Sequence, residues 1–168
     1  MRFVSRRGIS HQSASPSAKA PGGDAARALT NVTRLTAARR VALPTFVDSR
    51  GALTAFESNL EVPFQIARVF YVYDVQAPFE RGGHAHVHAD QLLVCVAGRM
   101  SVDLVDPSST ETYVLDDPST GLFVPRLVWT RLYGFTPGAV CLAAASNHYE
   151  QSEVIRDWDE YVRRALEP

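Results

Sequence analysis

Three histidines alternate along one short segment, Arg81-Gly82-Gly83-His84-Ala85-His86-Val87-His88. Residues two apart on an extended chain project to the same face. The spacing therefore predicts two or three imidazoles side by side, with small Ala85 and two glycines leaving room for a ligand. Imidazole titrates near neutrality, so such a cluster suits proton transfer without help from a metal. Two other readings compete with it at this point: a solvated edge strand, and a metal site. A metal site needs three or four converging donors. His-x-His is a good start, but the position where an acid should follow is Gln91. A third histidine is also missing beyond Pro125, where the chain reads Val128-Trp129-Thr130; His148 stands well downstream.

The surrounding pattern is of short strands and turn residues. Candidate strands are Pro44–Val47, Ala52–Glu57, Ala67–Val75, Gln91–Ala97, Met100–Val105, Thr112–Leu115, Gly121–Val124 and Ala139–Ala144. Gly- and Pro-containing breakers such as Gly82-Gly83, Ala97-Gly98 and Thr136-Pro137-Gly138 separate them. Many short strands at this spacing predict an all-β, two-sheet jelly roll. The period changes near the C-terminus. Trp158, Tyr161, Val162, Ala165 and Leu166 form one helical stripe, with Asp157 as N-cap and Glu160 as its capping-box partner.

The 168 residues suit one globular domain preceded by a different kind of segment. Residues 1–40 hold eight basic groups and one acid; the rest hold nine basic and seventeen acidic groups, a net charge of −8. The run 8–28 is rich in Ser, Ala, Gly and Pro and has no hydrophobic period. It is expected to be a flexible basic leader over 1–31, with the folded domain at 32–168. The overall charge of −1 gives no reason to expect nucleic acid as a partner, and no apolar run reaches membrane-span length. Cys95 and Cys141 each sit in an apolar run, which suits buried reduced thiols and a cytoplasmic setting.

From Phe46 to Tyr161 the chain resembles the cupin-fold sugar-nucleotide 3,4-ketoisomerases, enzymes that act on dTDP-4-keto-6-deoxyglucose. The resemblance rests on Asp48-Ser-Arg-Gly51, Glu57, Val62-Pro-Phe64, Arg68-Val-Phe-Tyr-Val-Tyr-Asp74, Arg81-Gly-Gly-His-Ala-His86 and Gln91 through Gly98. It continues through Gly121-Leu-Phe-Val124, Val128-Trp129, Ala144-Ala-Ser146 with Tyr149, and Ile155-Arg156. It implies a double-stranded β-helix that needs no cofactor or metal and works through an enediol. His86 would be the proton-moving base. His84 would polarise a sugar oxygen or relay the second proton. Arg68, Arg81 and Tyr71 would steady the enediolate and hold the diphosphate, with Gln91 and Trp129 as further substrate contacts. On a regular strand Arg68 and Tyr71 point to opposite faces, so at most one of them reaches a common site unless a bulge intervenes. The resemblance also implies a homodimer that shares strands, and a place in deoxysugar or aminosugar biosynthesis. Val87-His88 departs from the family, which carries Lys after His-Ala-His, as do His148 and Glu153-Val154 in their places. A metal-dependent cupin enzyme and a non-catalytic sugar-nucleotide-binding cupin are the alternatives.

Overall fold

The computed structural model describes residues 34–167, so the expected leader lies outside the described residues. The strands are β1 (Arg39–Ala42), β2 (Thr45–Asp48), β3 (Gly51–Thr54), β4 (Arg68–Tyr73), β5 (Arg81–His86) and β6 (Gln91–Ala97). They continue with β7 (Met100–Val105), β8 (Thr110–Leu115), β9 (Thr120–Val124), β10 (Trp129–Tyr133), β11 (Val140–Ala145) and β12 (Val154–Ile155). Two five-stranded sheets form, in the orders β1-β9-β6-β11-β4 and β12-β5-β10-β7-β8, and their pairings are antiparallel. The inner faces pack Leu93, Met100, Val102, Leu104, Leu122 and Leu132 into one buried core, as a jelly roll requires.

Most expected strands appear within a few residues of their expected ends. Trp129–Tyr133, which the sequence does not advertise, is a full strand. Its outward residues Arg131 and Tyr133 are polar, and they bond the buried carboxylate of Asp103 at 2.8 and 3.0 Å. Hydrophobicity alone therefore hides its period. Strands β1 and β12 escape notice because one is an exposed Arg-Arg-Val-Ala edge and the other only two residues long.

The C-terminal helix Trp158–Leu166 forms where its stripe places it. Asp157 caps it by accepting the Glu160 backbone N–H at 2.8 Å. The Glu160 carboxylate turns instead to Arg164, one turn on, at 3.6 Å. The helix covers the outside of the second sheet. Tyr161 is fully buried there against Ala85 and Ile155, and its hydroxyl donates to the Val105 carbonyl at 2.8 Å.

Candidate active site

The site begins at an irregularity in β5. Thr130 of β10 pairs with His84, but Arg131 pairs with Gly82 and Leu132 with Arg81, so Gly83 is an extra residue in the strand. This is a β-bulge, and it changes the phase of the strand. Paired residues share a face, so Arg81 and His84, three apart, both lie on the inner face with Leu132 and Thr130. Both glycines of the bulge have positive φ, +82° at Gly82 and +65° at Gly83. A Cβ on Gly82 would lie 2.5 Å from the Thr130 carbonyl oxygen, so only glycine fits the crossing.

The carbonyl of Gly82 then sets the first imidazole. His84 Nδ1 lies 2.9 Å from it, and a carbonyl only accepts, so Nδ1 carries the hydrogen. That leaves the lone pair of His84 on Nε2, which lies 3.3 Å from Nε2 of His86. The two rings meet edge to face, with centroids 4.9 Å apart. In the neutral pair His86 Nε2 therefore donates its hydrogen to His84 Nε2, and the lone pair of His86 is on Nδ1.

Two cavities share Phe70, His84 and Arg156 in their walls. The inner one, about 320 Å³, lies between the sheets and includes Phe70, Arg81, His84, Gln91, Thr130 and Arg156 in its wall. The outer one, about 300 Å³, is walled by Arg68, Phe70, His84, His86, Tyr149, Val154 and Arg156. Burial, the adjacent His84 ring and the charges of Arg68 and Arg156 hold the His86 imidazolium pKa down to about 4. Burial also lowers that of His84, against the Gly82 hydrogen bond, which raises it; Arg156 lowers it further. Both rings are thus neutral at pH 7 and free to accept a proton.

Arg68 sits between the rings of Phe70 and Tyr149, its guanidinium carbon 5.1 and 5.3 Å from their centroids. Its buried Nε has no hydrogen-bond partner. A cation fixed by two aromatic faces, with a donor left over, is built to receive an anion. At the places where a metal-binding relative of this fold would need an acid and a third histidine stand Gln91 and Thr130, an amide and a hydroxyl. With two guanidiniums facing the same space, the wall does not suit a divalent cation.

The structure thus brings His84, His86, Arg68, Arg81 and Gln91 to the walls of these two adjoining cavities. Two expected residues lie elsewhere. Tyr71 is on the opposite face of β4, which alternates regularly, and is 65% exposed beside Tyr73. No bulge in β4 rescues it. Trp129 points outward from β10 and packs edge to face on Trp158, at 5.3 Å, and against Tyr161. It anchors the helix and does not face the cavities. His88 leaves the histidine face after β5 ends and lies 3.5 Å from Glu153. Sequence reasoning missed Phe70, Thr130, Tyr149 and Arg156 as cavity residues. Strand parity from Arg68 pointed to Phe70. Tyr149 and Arg156 arrive from distant segments, where no local spacing marks them.

A pair of imidazoles on the wall of a jelly-roll cavity, flanked by guanidiniums, suits acid–base chemistry on an anionic substrate. The chain belongs to the FdtA family, described as WxcM-like, C-terminal, whose sequence profile matches residues 37–165. It is 38% identical over 117 residues to the TDP-4-oxo-6-deoxy-alpha-D-glucose-3,4-oxoisomerase of Aneurinibacillus thermoaerophilus, a match spanning 70% of this chain and 84% of that protein. The crystal structure of QdtA, a sugar 3,4-ketoisomerase from Thermoanaerobacterium thermosaccharolyticum in complex with TDP, superimposes with a TM-score of 0.75 at 34% identity, covering 76% of this chain and 93% of that one. The WlaRB TDP-quinovose 3,4-ketoisomerase of Campylobacter jejuni superimposes with a TM-score of 0.72 at 36% identity, covering 75% and 97%.

Proposed function

We propose that this protein is a TDP-sugar 3,4-ketoisomerase that moves the carbonyl of a TDP-4-keto-6-deoxyhexose from C4 to C3. The observation that carries the chemistry is the pair of neutral imidazoles with Nε2 atoms 3.3 Å apart on the cavity wall. His86 takes the C3 proton on its other ring nitrogen, Nδ1. The C3–H electron pair becomes the C3=C4 bond, and the C4 carbonyl pair moves onto its oxygen. His84 Nε2 shares the positive charge gained by His86. The hydroxyl proton then passes from the C3 oxygen to the C4 oxygen. His86 returns its proton to C4, and the C3 oxygen becomes the carbonyl. No redox partner is consumed.

Volume and charge support a placement of the substrate. The hexose lies where the two cavities share His84, within reach of His86, and extends toward Gln91, Thr130 and Arg81 of the inner one. The outer one, with Arg68, takes the diphosphate, whose oxygens match the fork of a guanidinium. Solvent deuterium tests the mechanism. The purified enzyme with TDP-4-keto-6-deoxyglucose in D₂O should wash deuterium into the hexose and accumulate the 3-keto isomer. A protein that binds TDP but leaves C3–H intact is a binder, and the isomerase reading falls.

We also propose a homodimer in the cytoplasm, supplying a 3-keto sugar nucleotide for deoxysugar or aminosugar synthesis. Three features support self-association. Among the described residues, the β2–β3 hairpin pairs with no other strand, strand β4 is a sheet edge, and both are apolar. Phe46, Val47 and Leu53 on the hairpin and Val69, Tyr71 and Tyr73 on β4 are all more than half exposed. Free, buried Cys95 and Cys141 suit a reducing compartment. Sedimentation should give twice the chain mass, and Tyr71→Glu should shift it toward monomer.

A further inference from the structure

Arg156 has no place in the reaction as derived so far, yet it is the one cation common to both cavity walls. The antiparallel pairing of β12 with β5 ends at Ile155–Ala85, so Arg156 comes next, level with His84. Its charge reaches both imidazoles. Among the described residues it has no ion pair or hydrogen bond, although Glu153 is only three positions away. Arg131 and Arg164, by contrast, are paired with carboxylates. Arg156, itself exposed, is therefore an unpaired fork on the wall the two cavities share, with its neighbour Ile155 locked in the core at 3% exposure.

Resting on the ketoisomerase reading, we infer that Arg156 is a catalytic residue that holds the C3 and C4 oxygens of the enediolate with its two parallel N–H donors. The intermediate is a planar O–C=C–O unit carrying negative charge, which a planar guanidinium matches and an ammonium does not. Proton transfer to His86 separates charge without creating any net charge. A nearby cation helps that step only if it lies closer to the new oxyanion than to the new imidazolium. Arg156 satisfies this by bonding the oxygens directly while making no hydrogen bond to either ring. Spreading the proton over two imidazoles also weakens the opposing repulsion. Arg68 serves the outer cavity alone, which leaves it to the diphosphate.

The test compares Arg156→Gln and Arg156→Lys with the full-length wild type. It reads kcat, KM, TDP affinity by calorimetry, and the pH profile of kcat/KM. Losing an oxyanion donor costs about 100- to 1,000-fold in kcat. Arg156→Gln should show that loss, and Arg156→Lys should recover part of it through charge alone. TDP, which lacks the hexose, should bind within threefold of wild type to both. The other charged or titratable groups around the pair are Arg68 from β4, Tyr149 after β11, and Glu80 and Arg81 on the inner wall; all stay in place. Removing the Arg156 charge should then move the acid limb of kcat/KM upward in pH, a change that loss of packing alone would not give. Weakened TDP binding with kcat within threefold of wild type would make Arg156 a diphosphate ligand and overturn the proposal. Melting temperatures identify a misfolded variant, in which case Arg156→Lys decides between the two roles by the same split. A wild-type enzyme that fails to exchange C3–H would instead condemn the isomerase reading itself.

Discussion

Adding one methyl group at Gly82 should disable the enzyme without touching a catalytic side chain. Gly82 has φ +82°, and a Cβ there would meet the Thr130 carbonyl oxygen at 2.5 Å and Leu132 at 3.2 Å. Gly83 next to it has φ +65° but open space around the same point. Alanine at either position carries the left-handed backbone penalty of about 1–2 kcal/mol. Only Gly82→Ala adds an overpacking cost, about 1–3 kcal/mol. The difference between the variants, about 2 kcal/mol at mid-range, corresponds to roughly 4–8 °C in Tm for a chain of this size. The main-chain carbonyl of Thr130 cannot move aside without disturbing the Thr130–His84 pairing. Gly82 must shift instead, and with it the carbonyl that orients His84. Displacements of about 1 Å at such a group cost about 100-fold in turnover. Circular-dichroism melts and isomerase assays of the two variants, side by side, measure both effects. Equal Tm and equal kcat for Gly82→Ala and Gly83→Ala would refute the claim that this crossing positions the pair.

The other expectations concern the ionisable groups and the helix. His86→Asn should lower kcat by about 100- to 10,000-fold, with TDP affinity nearly unchanged by calorimetry; His84→Asn should cost less and His88→Asn least. Activity should survive dialysis against EDTA, since Gln91 and Thr130 replace the donors a metal would need; loss on chelation with rescue by one divalent ion would contradict this. Because the folded-state pKa of His86 is depressed from 6.5 to about 4, the unfolded chain takes up a proton there first as pH falls. Its contribution to stability is present above pH 6.5 and is lost as the pH drops toward 4; a Tm series should show that slope, flattened in His86→Asn. Tyr161→Phe removes the hydroxyl that bonds Val105 and should cost about 1–3 kcal/mol in denaturant unfolding.

Much of this arrangement was legible in the chain. His84 and His86 declared themselves because alternation is a local rule and β5 obeys it between them. The helix was equally plain, since its stripe and Asp157 lie within one stretch. Arg81 could not be placed by alternation, because the extra residue at Gly83 reverses the phase between it and His84. The position of Tyr71 followed from parity with Arg68, and the regular β4 made that parity decisive against it. The direction of Trp129 was not legible, because it depends on β10, whose polar outer face hid the strand. Tyr149 and Arg156 reach the site through tertiary folding alone, after more than fifty residues of intervening chain.

The bulge also sets how the chamber answers a change in chain length. Deleting Gly83 would join Gly82 directly to His84 in a regular ladder, with Arg81 still opposite Leu132 and still facing inward. The faces would survive a single-codon deletion; what would go is the local kink that brings the Gly82 carbonyl under the His84 ring. Length changes at this glycine pair would therefore retune the aim of one imidazole while leaving the cations of the chamber where they are.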